Sequence, residues 1–344
     1  MSDTVLIVLF LGSFFISWAI GMVLGSLYVR IMQKFSVGQI INPDGPAGHA
    51  SKAGTPTAGG LFFLLASTIT ITVFYDITKP FTYIILVAMW LFGTIGMIDD
   101  IIKLYKHRSV GLTSSRKLAL QILASAAIVW LLNSSSSDPL SVITIPWDPS
   151  RTIDIGLWYP LGATLYMVAF VNATNITDGL DGLATGTSLP ILLLIVILSA
   201  CIGFGLTYPS LIRDPQEYGM LTGVLAAFIG AVLAFLWFNV PKAQVFMGDC
   251  GSHAIGAVIS VSALLLKIEL VVIASSLVLI VELLSSFIQI IAIRFTGKKV
   301  FLMAPLHHHF EKRGVEEAKI TSRFVIVSTL CAVLAGLMFI IKQL

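Results

Sequence analysis

The chain has 344 residues, of which 57% are hydrophobic and 11% are charged, and its formal net charge at pH 7 is +3. Soluble globular proteins carry about 25% charged residues, so this composition excludes an ordinary soluble protein and indicates a chain whose solvent is the lipid bilayer. The cysteines Cys201, Cys250 and Cys331 lie far apart and lack metal-site spacing. We therefore predict neither a disulfide framework nor a zinc site.

Runs of about 20 mostly apolar residues predict membrane-spanning helices. Ten such segments follow one another: 5–27, 57–75, 81–98, 118–132, 158–171, 183–205, 219–238, 253–266, 270–293 and 324–341. The first is too long for the apolar region of a signal peptide and its basic residues follow it, so we interpret it as a retained helix. The sequence thus predicts an all-α, polytopic membrane protein of about ten helices, with residues 1–344 forming a single domain.

Lysine and arginine residues are distributed unevenly between the two sets of connections. The connections after segments one, three, five, seven and nine hold 16 of the 21, and the positive-inside rule places that set in the cytoplasm. With an even number of helices, both termini are then extracytoplasmic. The outer connection 133–158 is rich in serine and proline. There we expect an outer loop that could hold a short hairpin, and we favour a plain connector over a functional role.

Polar residues gather in four groups, and all four fall in connections of the cytoplasmic set. The groups are Asp99 with Asp100, residues 172–181, residues 239–249, and His307 with its two neighbours. A polytopic protein that collects its polar chemistry at one interface is expected to act there, on a substrate that straddles lipid and water. This layout favours an enzyme over a pore.

The first group is a pair of carboxylates, Asp99 and Asp100, at the end of the third segment. Lys103 follows one helical turn later, and Lys117 follows further along the chain. Two adjacent carboxylates at the mouth of a helix are costly to desolvate unless cations or a metal offset their charge. The pair suits metal binding or proton removal beside a phosphate. For the pair alone, a solvated helix end balanced by lysines is the alternative.

The second group places a polar side chain at every third residue. Its members are Asn172, Asn175, Asp178 and Asp181. Nine residues turn an ideal helix by about 180°, so the four cannot share one face, and Gly179 and Gly182 are expected to break the helix. An irregular turn that offers backbone N–H groups and carboxylates is a plausible cradle for a nucleotide and its metal.

The third group combines Asn239, Phe246 and Asp249. Phe246 could stack on a base, although a core or interfacial aromatic is the alternative for that residue alone. Asp249 could ligate Mg²⁺, a hard cation that prefers carboxylate and phosphate oxygen.

The fourth group is the run His307, His308 and His309. Three contiguous histidines lack the i, i+4 spacing of a helical zinc site, so hydrogen bonding to phosphate, sugar or nucleotide is the better interpretation. Further back, Glu282 and Gln289 are seven residues apart and share one helical face. They line a cleft or pack against another helix.

Together these motifs resemble the polyprenyl-phosphate N-acetylhexosamine-1-phosphate transferases. The motifs are Asp99-Asp100 with Lys103, Asn175-x-x-Asp178-Gly179-Leu180-Asp181-Gly182, Phe246-Met247-Gly248-Asp249, Pro305-Leu306-His307-His308-His309-Phe310, and Lys52-Ala53-Gly54-Thr55-Pro56-Thr57. Each motif alone is weak, but their order and spacing are highly specific, and the resemblance spans nearly the whole chain.

The resemblance implies a reaction in which undecaprenyl phosphate attacks the sugar-bearing phosphorus of UDP-N-acetylmuramoyl-pentapeptide. UMP would leave, lipid I for peptidoglycan synthesis would form, and Mg²⁺ would be required. The resemblance also implies a homodimer in the bacterial cytoplasmic membrane, with no nucleic-acid partner. A sister enzyme that uses an N-acetylglucosamine donor is one alternative, disfavoured by the three histidines. A transporter is another, but it should place its polar residues near the bilayer midplane, where only Glu282 falls.

The resemblance also implies roles for individual residues. The expected catalytic residues are Asp99, Asp100, Asp249, His307, His308 and His309, with Asp249 as the Mg²⁺ ligand and Asp99 or Asp100 as the group that deprotonates or orients the lipid phosphate. The residues expected around uridine are Lys52, Asp178, Gly179, Leu180, Asp181, Asn239 and Phe246. Those expected near the phosphates and sugar are Thr57, Asn175, Gln289 and the three histidines. Lys103 and Lys117 are expected to bind phosphate, and Asn172 is expected to bind substrate. Direct attack is favoured over a covalent relay, because a phosphate anion is already a competent nucleophile.

Overall fold

A computed structural model describes residues 3–35, 52, 54–106, 110–135, 141–145, 148–205 and 215–340. Ala53 of the motif that begins at Lys52, and residue 341 of the last predicted segment, lie outside these ranges. The helices are α1 Asp3–Lys34, α2 Gly60–Phe74, α3 Pro80–Tyr105, α4 Ser114–Ser135, α5 Tyr159–Thr177, α6 Leu183–Gly203, α7 Pro215–Asn239, α8 Gly248–Leu266, α9 Glu269–Ser275, α10 Leu277–Thr296, α11 Leu306–Lys312 and α12 Glu317–Ile340. The strands are β1 Val142–Ile145 and β2 Asp148–Asp154.

Eight helices in the described part of the chain are long and apolar enough to cross a membrane. They are α1, α3, α4, α6, α7, α8, α10 and α12. The two further segments predicted from sequence form α2, with 15 residues, and α5, with 19. At 1.5 Å per residue α2 extends about 22 Å, less than the roughly 30 Å of a hydrocarbon core. The all-α, polytopic prediction is confirmed, while the count of ten, the outer termini and the single domain stay predictions.

One predicted helix and one predicted connection contain more structure than the sequence indicated. The predicted segment 270–293 is divided at Ser276, where α9 ends and α10 begins. The connection 133–158 holds an antiparallel hairpin, in which Val142 pairs with Asp154 and Thr144 with Thr152. The short hairpin considered there is therefore present, and the interpretation of the connection as a plain connector stays a prediction. The β-branched residues of Val142–Ile145 favour the extended backbone that such pairing requires.

Helix α8 is the buried axis of the molecule. Every residue from Asp249 to Leu266 is buried, and α8 contacts α2, α3, α5, α6 and α9. Small residues permit these close approaches, as is usual between membrane helices. A Cβ atom added at Gly96 of α3 would lie 2.1 Å from the carbonyl oxygen of Asp249. This contact brings the end of α3 against the start of α8.

Most of the polar groups lie in helical turns, although the sequence analysis had placed them in connections between helices. Helix α3 continues to Tyr105, α5 continues to Thr177 and α8 begins at Gly248. The residues that this moves into helices are Asp99, Asp100, Asn172, Asn175 and Asp249. The helices extend past their apolar segments because the polar side chains find partners on neighbouring helices. The predicted break of α5 occurs at Asp178, and α6 begins after Gly182, whose φ of 71° is left-handed.

Candidate active site

Three carboxylates meet where α3 ends and α8 begins. One oxygen from each of Asp99, Asp100 and Asp249 lies within 4.8 Å of the other two. All three residues are buried, at 2%, 3% and 9% exposure respectively. Like charges this close in a buried place need compensating cations. We call these residues the carboxylate centre.

Two lysines compensate part of this charge. The Nζ atom of Lys103 lies 2.7 Å from Asp99, 3.1 Å from Asp249 and 3.8 Å from Asp100. The Nζ atom of Lys117, from α4, lies 2.5 Å from Asp249. Two ammonium groups facing three carboxylates leave one formal negative charge over among these five residues. The centre therefore favours a further cation.

Asn175 joins α5 to the carboxylate centre. Its Nδ2 atom donates to Asp249 Oδ1 and to Ser252 Oγ, both at 3.0 Å, and its Oδ1 atom accepts from Lys117 Nζ at 3.2 Å. Sequence reasoning missed Ser252. Its only signal is the i+3 spacing from Asp249, which has meaning once α8 is known to begin at Gly248.

The neighbours Asp99 and Asp100 have different partners. The two carboxylate oxygens of Asp100 accept from the backbone N–H groups of Asp249 and Cys250, each at 3.0 Å. Asp100 therefore caps the first turn of α8 from a neighbouring helix. Asp99 accepts from the backbone N–H of Leu112 at 2.7 Å. Its other oxygen faces Lys103.

A second group of charges surrounds Lys52. Its Nζ atom lies 2.7 Å from Asp181 and 2.5 Å from Glu317, and 5.9 Å from the centre of the Phe246 ring. Burial opposes the charge of Lys52, but the hydrogen bonds to Asp181 and Glu317 outweigh it and raise the pKa of Lys52 above its ordinary value. We call Lys52, Asp181 and Glu317 the Lys52 cluster. Sequence reasoning missed Glu317, which has no motif around it.

Backbone contacts of Asp181 bring two predicted loops together. Its Oδ2 atom accepts from the N–H groups of Lys242 and Ala243 at 3.1 and 3.0 Å. Its own N–H donates to Glu317 at 2.6 Å, and its carbonyl accepts from Thr321 Oγ1 at 3.1 Å. The 178–182 turn is thus held between the 240–247 connection and the start of α12.

Three other residues predicted near the ligand support the same loops. Asn239 accepts from the N–H of Gly182 at 3.1 Å and donates to the carbonyl of Val245 at 2.9 Å. Leu180 is buried among apolar side chains that include Leu183 and Ile320. Thr57 is buried, and its carbonyl accepts from the Tyr28 hydroxyl at 2.6 Å. These residues shape the walls of the site.

Asp178 follows α5 directly and lies partly exposed between these groups. Burial raises the pKa of the Asp178 carboxyl well above its usual range, and the negative charges of Asp249 and Asp100 raise it further. This environment favours the protonated form, which can donate a hydrogen bond to a ligand.

The three histidines have separate partners. His307 is buried, with Nδ1 2.9 Å from Glu282 Oε2, and its backbone N–H donates to Glu282 Oε1 at 3.1 Å. A Cβ atom at Gly179 would lie 2.2 Å from His307 Nε2, so a glycine is needed there. His308 Nδ1 lies 2.5 Å from Glu311, and His309 Nδ1 accepts from the N–H of Leu302 at 3.1 Å. The roles predicted for the three histidines stay predictions.

Gln289 and Asn172, both predicted to bind substrate, are engaged with protein groups. Gln289 accepts from the N–H groups of Val300 and Phe301 and donates to the Phe301 carbonyl, all at 3.0 Å. Asn172 donates to Gln121 Oε1 at 2.8 Å, and Gln121 Nε2 lies 3.1 Å from a ring nitrogen of buried His253. Their substrate contacts stay predictions.

The carboxylate centre suits a magnesium ion by its donor chemistry. Mg²⁺ binds through one or two carboxylates together with water and substrate phosphate oxygens. Asp99, Asp100 and Asp249 supply hard oxygen donors within a single 4.8 Å neighbourhood, and their charge exceeds that of the two lysines. The residues present fit this ion.

The fold and the site together define a polytopic membrane protein with a buried carboxylate and lysine centre at one end of its helix bundle. Residues 82–267, which include the whole of that centre, match the sequence model of a family described as glycosyl transferase family 4. The chain is also similar to three bacterial proteins named phospho-N-acetylmuramoyl-pentapeptide-transferase. The relative from Clostridium perfringens strain SM101 is 36% identical over 320 residues, covering 93% of this chain and 94% of the relative.

The alignments with the other two relatives cover a similar share of the chain. The protein from Desulfovibrio desulfuricans is 40% identical over 319 residues, covering 92% of this chain and 88% of its own length. The protein from Desulforapulum autotrophicum is 38% identical over 317 residues, covering 91% and 87%. The chain therefore belongs to the phospho-N-acetylmuramoyl-pentapeptide-transferase family, within glycosyl transferase family 4.

Proposed function

We propose that the protein transfers phospho-N-acetylmuramoyl-pentapeptide from its UDP donor to undecaprenyl phosphate, releasing UMP and forming lipid I for peptidoglycan biosynthesis. The bacterial cytoplasmic membrane is the proposed location, and a homodimer the proposed assembly. The observation that carries this proposal is the carboxylate centre with its two lysines, in a chain whose relatives bear the name of that transferase. Phosphoryl transfer depends on such positioning and charge compensation.

The carboxylate centre is the proposed place of the diphosphate. Lys103 and Lys117 lie on the same oxygen of Asp249, so their ammonium groups are poised to neutralise charge as the bond to UMP breaks. Mg²⁺, held by Asp249 with Asp99 and Asp100 beside it, would stabilise negative charge on the diphosphate as a Lewis acid. Asn175 holds Asp249 in place through its side-chain amide.

Of the two neighbouring carboxylates, Asp99 is the better candidate to orient or deprotonate the lipid phosphate. Asp100 already uses both oxygens to cap α8. In the proposed step, an oxygen of undecaprenyl phosphate forms a bond to the sugar-bearing phosphorus of the donor. The bond from that phosphorus to the UMP oxygen breaks, and UMP leaves with the bonding pair. A covalent relay through an aspartate is not required.

The Lys52 cluster and the 178–182 turn are the proposed nucleotide pocket. Phe246 offers an aromatic face 5.9 Å from Lys52 Nζ, and Asp178 offers a carboxyl that favours its protonated form. A base needs stacking on one face and hydrogen bonds at its edge. These two residues can supply both. The histidine helix α11 lies against the same turn, because His307 packs on Gly179.

The direct test is UMP release by the purified, detergent-solubilised protein given undecaprenyl phosphate and Mg²⁺. UDP-N-acetylmuramoyl-pentapeptide and UDP-N-acetylglucosamine are compared as donors. Turnover with the muramoyl donor alone is expected. Turnover with the glucosamine donor alone would keep the chemistry but assign the protein to the sister activity. Removal of divalent cations with a chelator should stop turnover, and added Mg²⁺ should restore it.

A further inference from the structure

The last turns of α10 project an apolar surface that packs on nothing in the described protein. From 290 to 296 every residue is exposed except the half-buried Ala292, and Phe295 is 79% exposed. A largely apolar helix end that is open on nearly all sides suits lipid or a protein partner, and the length and composition of α10 are those of a membrane span. This part of α10 is therefore expected to lie in the membrane.

Three cations lie in or directly after this helix end. Arg294, Lys298 and Lys299 are exposed, and no hydrogen bond or ion pair joins their side chains to another residue in the described part of the chain. The stretch 294–303 contains no aspartate or glutamate. Beside the cations, Val300 and Leu302 are 58% and 56% exposed. We call Arg294, Phe295, Lys298, Lys299, Val300 and Leu302 the tip patch.

Hydrogen bonds from Gln289 and His309 fix the backbone of the tip patch. Helix α10 ends at Thr296, and Gly297 follows it with a left-handed φ of 68°. The returning backbone at 300–301 is bound by all three hydrogen bonds of Gln289, and the N–H of Leu302 is bound by His309. The patch is thus a fixed surface that presents cations and apolar side chains side by side.

We propose that the tip patch is a binding surface for anionic lipid headgroups of the leaflet at the site end of the bundle. Apolar side chains that enter the acyl region beside lysine and arginine are how a protein surface binds an anionic membrane interface. The lipid-exposed face of α10 runs directly into the patch, so its cations are at headgroup depth. This inference does not depend on the reaction proposed above.

The same connection offers a matched control. Lys312, Arg313 and Lys319 are also exposed, but they lie among the acidic residues Glu311, Glu316 and Glu317 of the same stretch. Replacing either set of three by glutamine removes the same charge from the same end of the molecule. Only the tip-patch set removes it beside the exposed end of α10.

The test measures the depth and lipid preference of position 295. Phe295→Trp is reconstituted in phosphatidylcholine nanodiscs that contain the same mole fraction of acyl-brominated phosphatidylglycerol or acyl-brominated phosphatidylcholine. Bromine quenches a nearby tryptophan, and the parent protein gives the background of the 6 native tryptophans. We expect at least about twofold stronger quenching by the anionic lipid, because each surface cation contributes to binding an anionic membrane.

Adding R294Q, K298Q and K299Q to Phe295→Trp should equalise quenching by the two lipids, whereas adding K312Q, R313Q and K319Q should leave the preference intact. High salt should abolish the preference without any further substitution, which keeps the test valid if the triple variant folds poorly. Equal quenching by both lipids in unmodified Phe295→Trp would overturn the proposal. So would no quenching by either lipid, or equal loss of preference in both triple variants.

Discussion

Helix α8 has a group of ionisable side chains at each of its ends, and the two groups differ in their charge balance. At its start, three carboxylates face two lysines. Beyond its end, the Tyr159 hydroxyl donates to Glu269, and Lys267 Nζ donates to the same hydroxyl at 3.1 Å while lying 4.2 Å from the centre of the ring. We call this second group the outer clasp.

The outer clasp is balanced, because one carboxylate and one ammonium share a tyrosine. Such a set joins the start of α5 to the connection between α8 and α9, and its formal charges cancel without a further ion. With all three carboxylates ionised, the carboxylate centre carries one negative charge more than its two lysines offset, and a bound cation would complete it. Burial of ionisable groups is therefore a weak sign of function by itself, whereas an unbalanced buried charge is a strong one.

The largest expected difference between the two ends comes from removing one carboxylate charge at each. Asp249→Asn should lower the rate of UMP release by about 10³-fold, since it removes the group on which both lysines converge. Glu269→Gln should leave turnover close to that of the parent and lower the thermal unfolding temperature instead. Near-normal turnover in Asp249→Asn would refute the role of that carboxylate, provided that gel filtration shows the variant to be folded.

Removing one lysine from each end should give the next largest difference. Lys117→Met should reduce kcat by about 10²-fold, because Lys117 compensates charge at Asp249 and also orients Asn175. Lys267→Met should change stability and not kcat. The two variants are compared at saturating donor and lipid. Equal losses of kcat would show that the outer clasp also acts on the reaction, and the contrast between the two ends would fail.

Within the carboxylate centre, substitution of Asp99 should mainly affect turnover, and substitution of Asp100 should mainly affect stability. Asp100→Asn should lower the free energy of unfolding by about 1 kcal/mol, because one of the two N–H groups at the start of α8 loses a charged acceptor. Asp99→Asn should lower turnover more and stability less. Denaturation and initial rates are measured on both variants. The reverse order would assign the lipid phosphate to Asp100.

The smallest effect is expected in the Lys52 cluster, which is more exposed than the carboxylate centre. Glu317→Gln should raise the KM for the UDP donor about threefold and leave the KM for undecaprenyl phosphate unchanged, because a partly exposed ion pair contributes roughly 0.5–1 kcal/mol. Glu316→Gln is the matched control, since Glu316 is exposed and its side chain has no described partner. A change in the lipid KM would place Glu317 outside the nucleotide pocket.

Much of this protein could be predicted because membrane helices and functional motifs are local features. Nine of the ten predicted segments overlap one helix each, the tenth is divided between α9 and α10, and Asp99, Asp100 and Asp249 were expected at one end of the bundle. The boundaries were less accurate at the polar ends. A hydropathy reading stops where side chains become polar, as at Asn172, whereas a helix stops where its backbone loses its partners.

The sequence by itself determined the class of the protein, the order of its helices and the residue types at its site, because composition and spacing depend on neighbours along the chain. Only the tertiary structure decided that Asp100 caps α8, that Glu317 joins Lys52 and that Gln289 binds backbone. The first two contacts join residues far apart in sequence, and the third joins α10 to the connection that follows it. The Asp100 contact is possible because Gly96 lets α3 approach α8 to backbone contact, which no local pattern reveals.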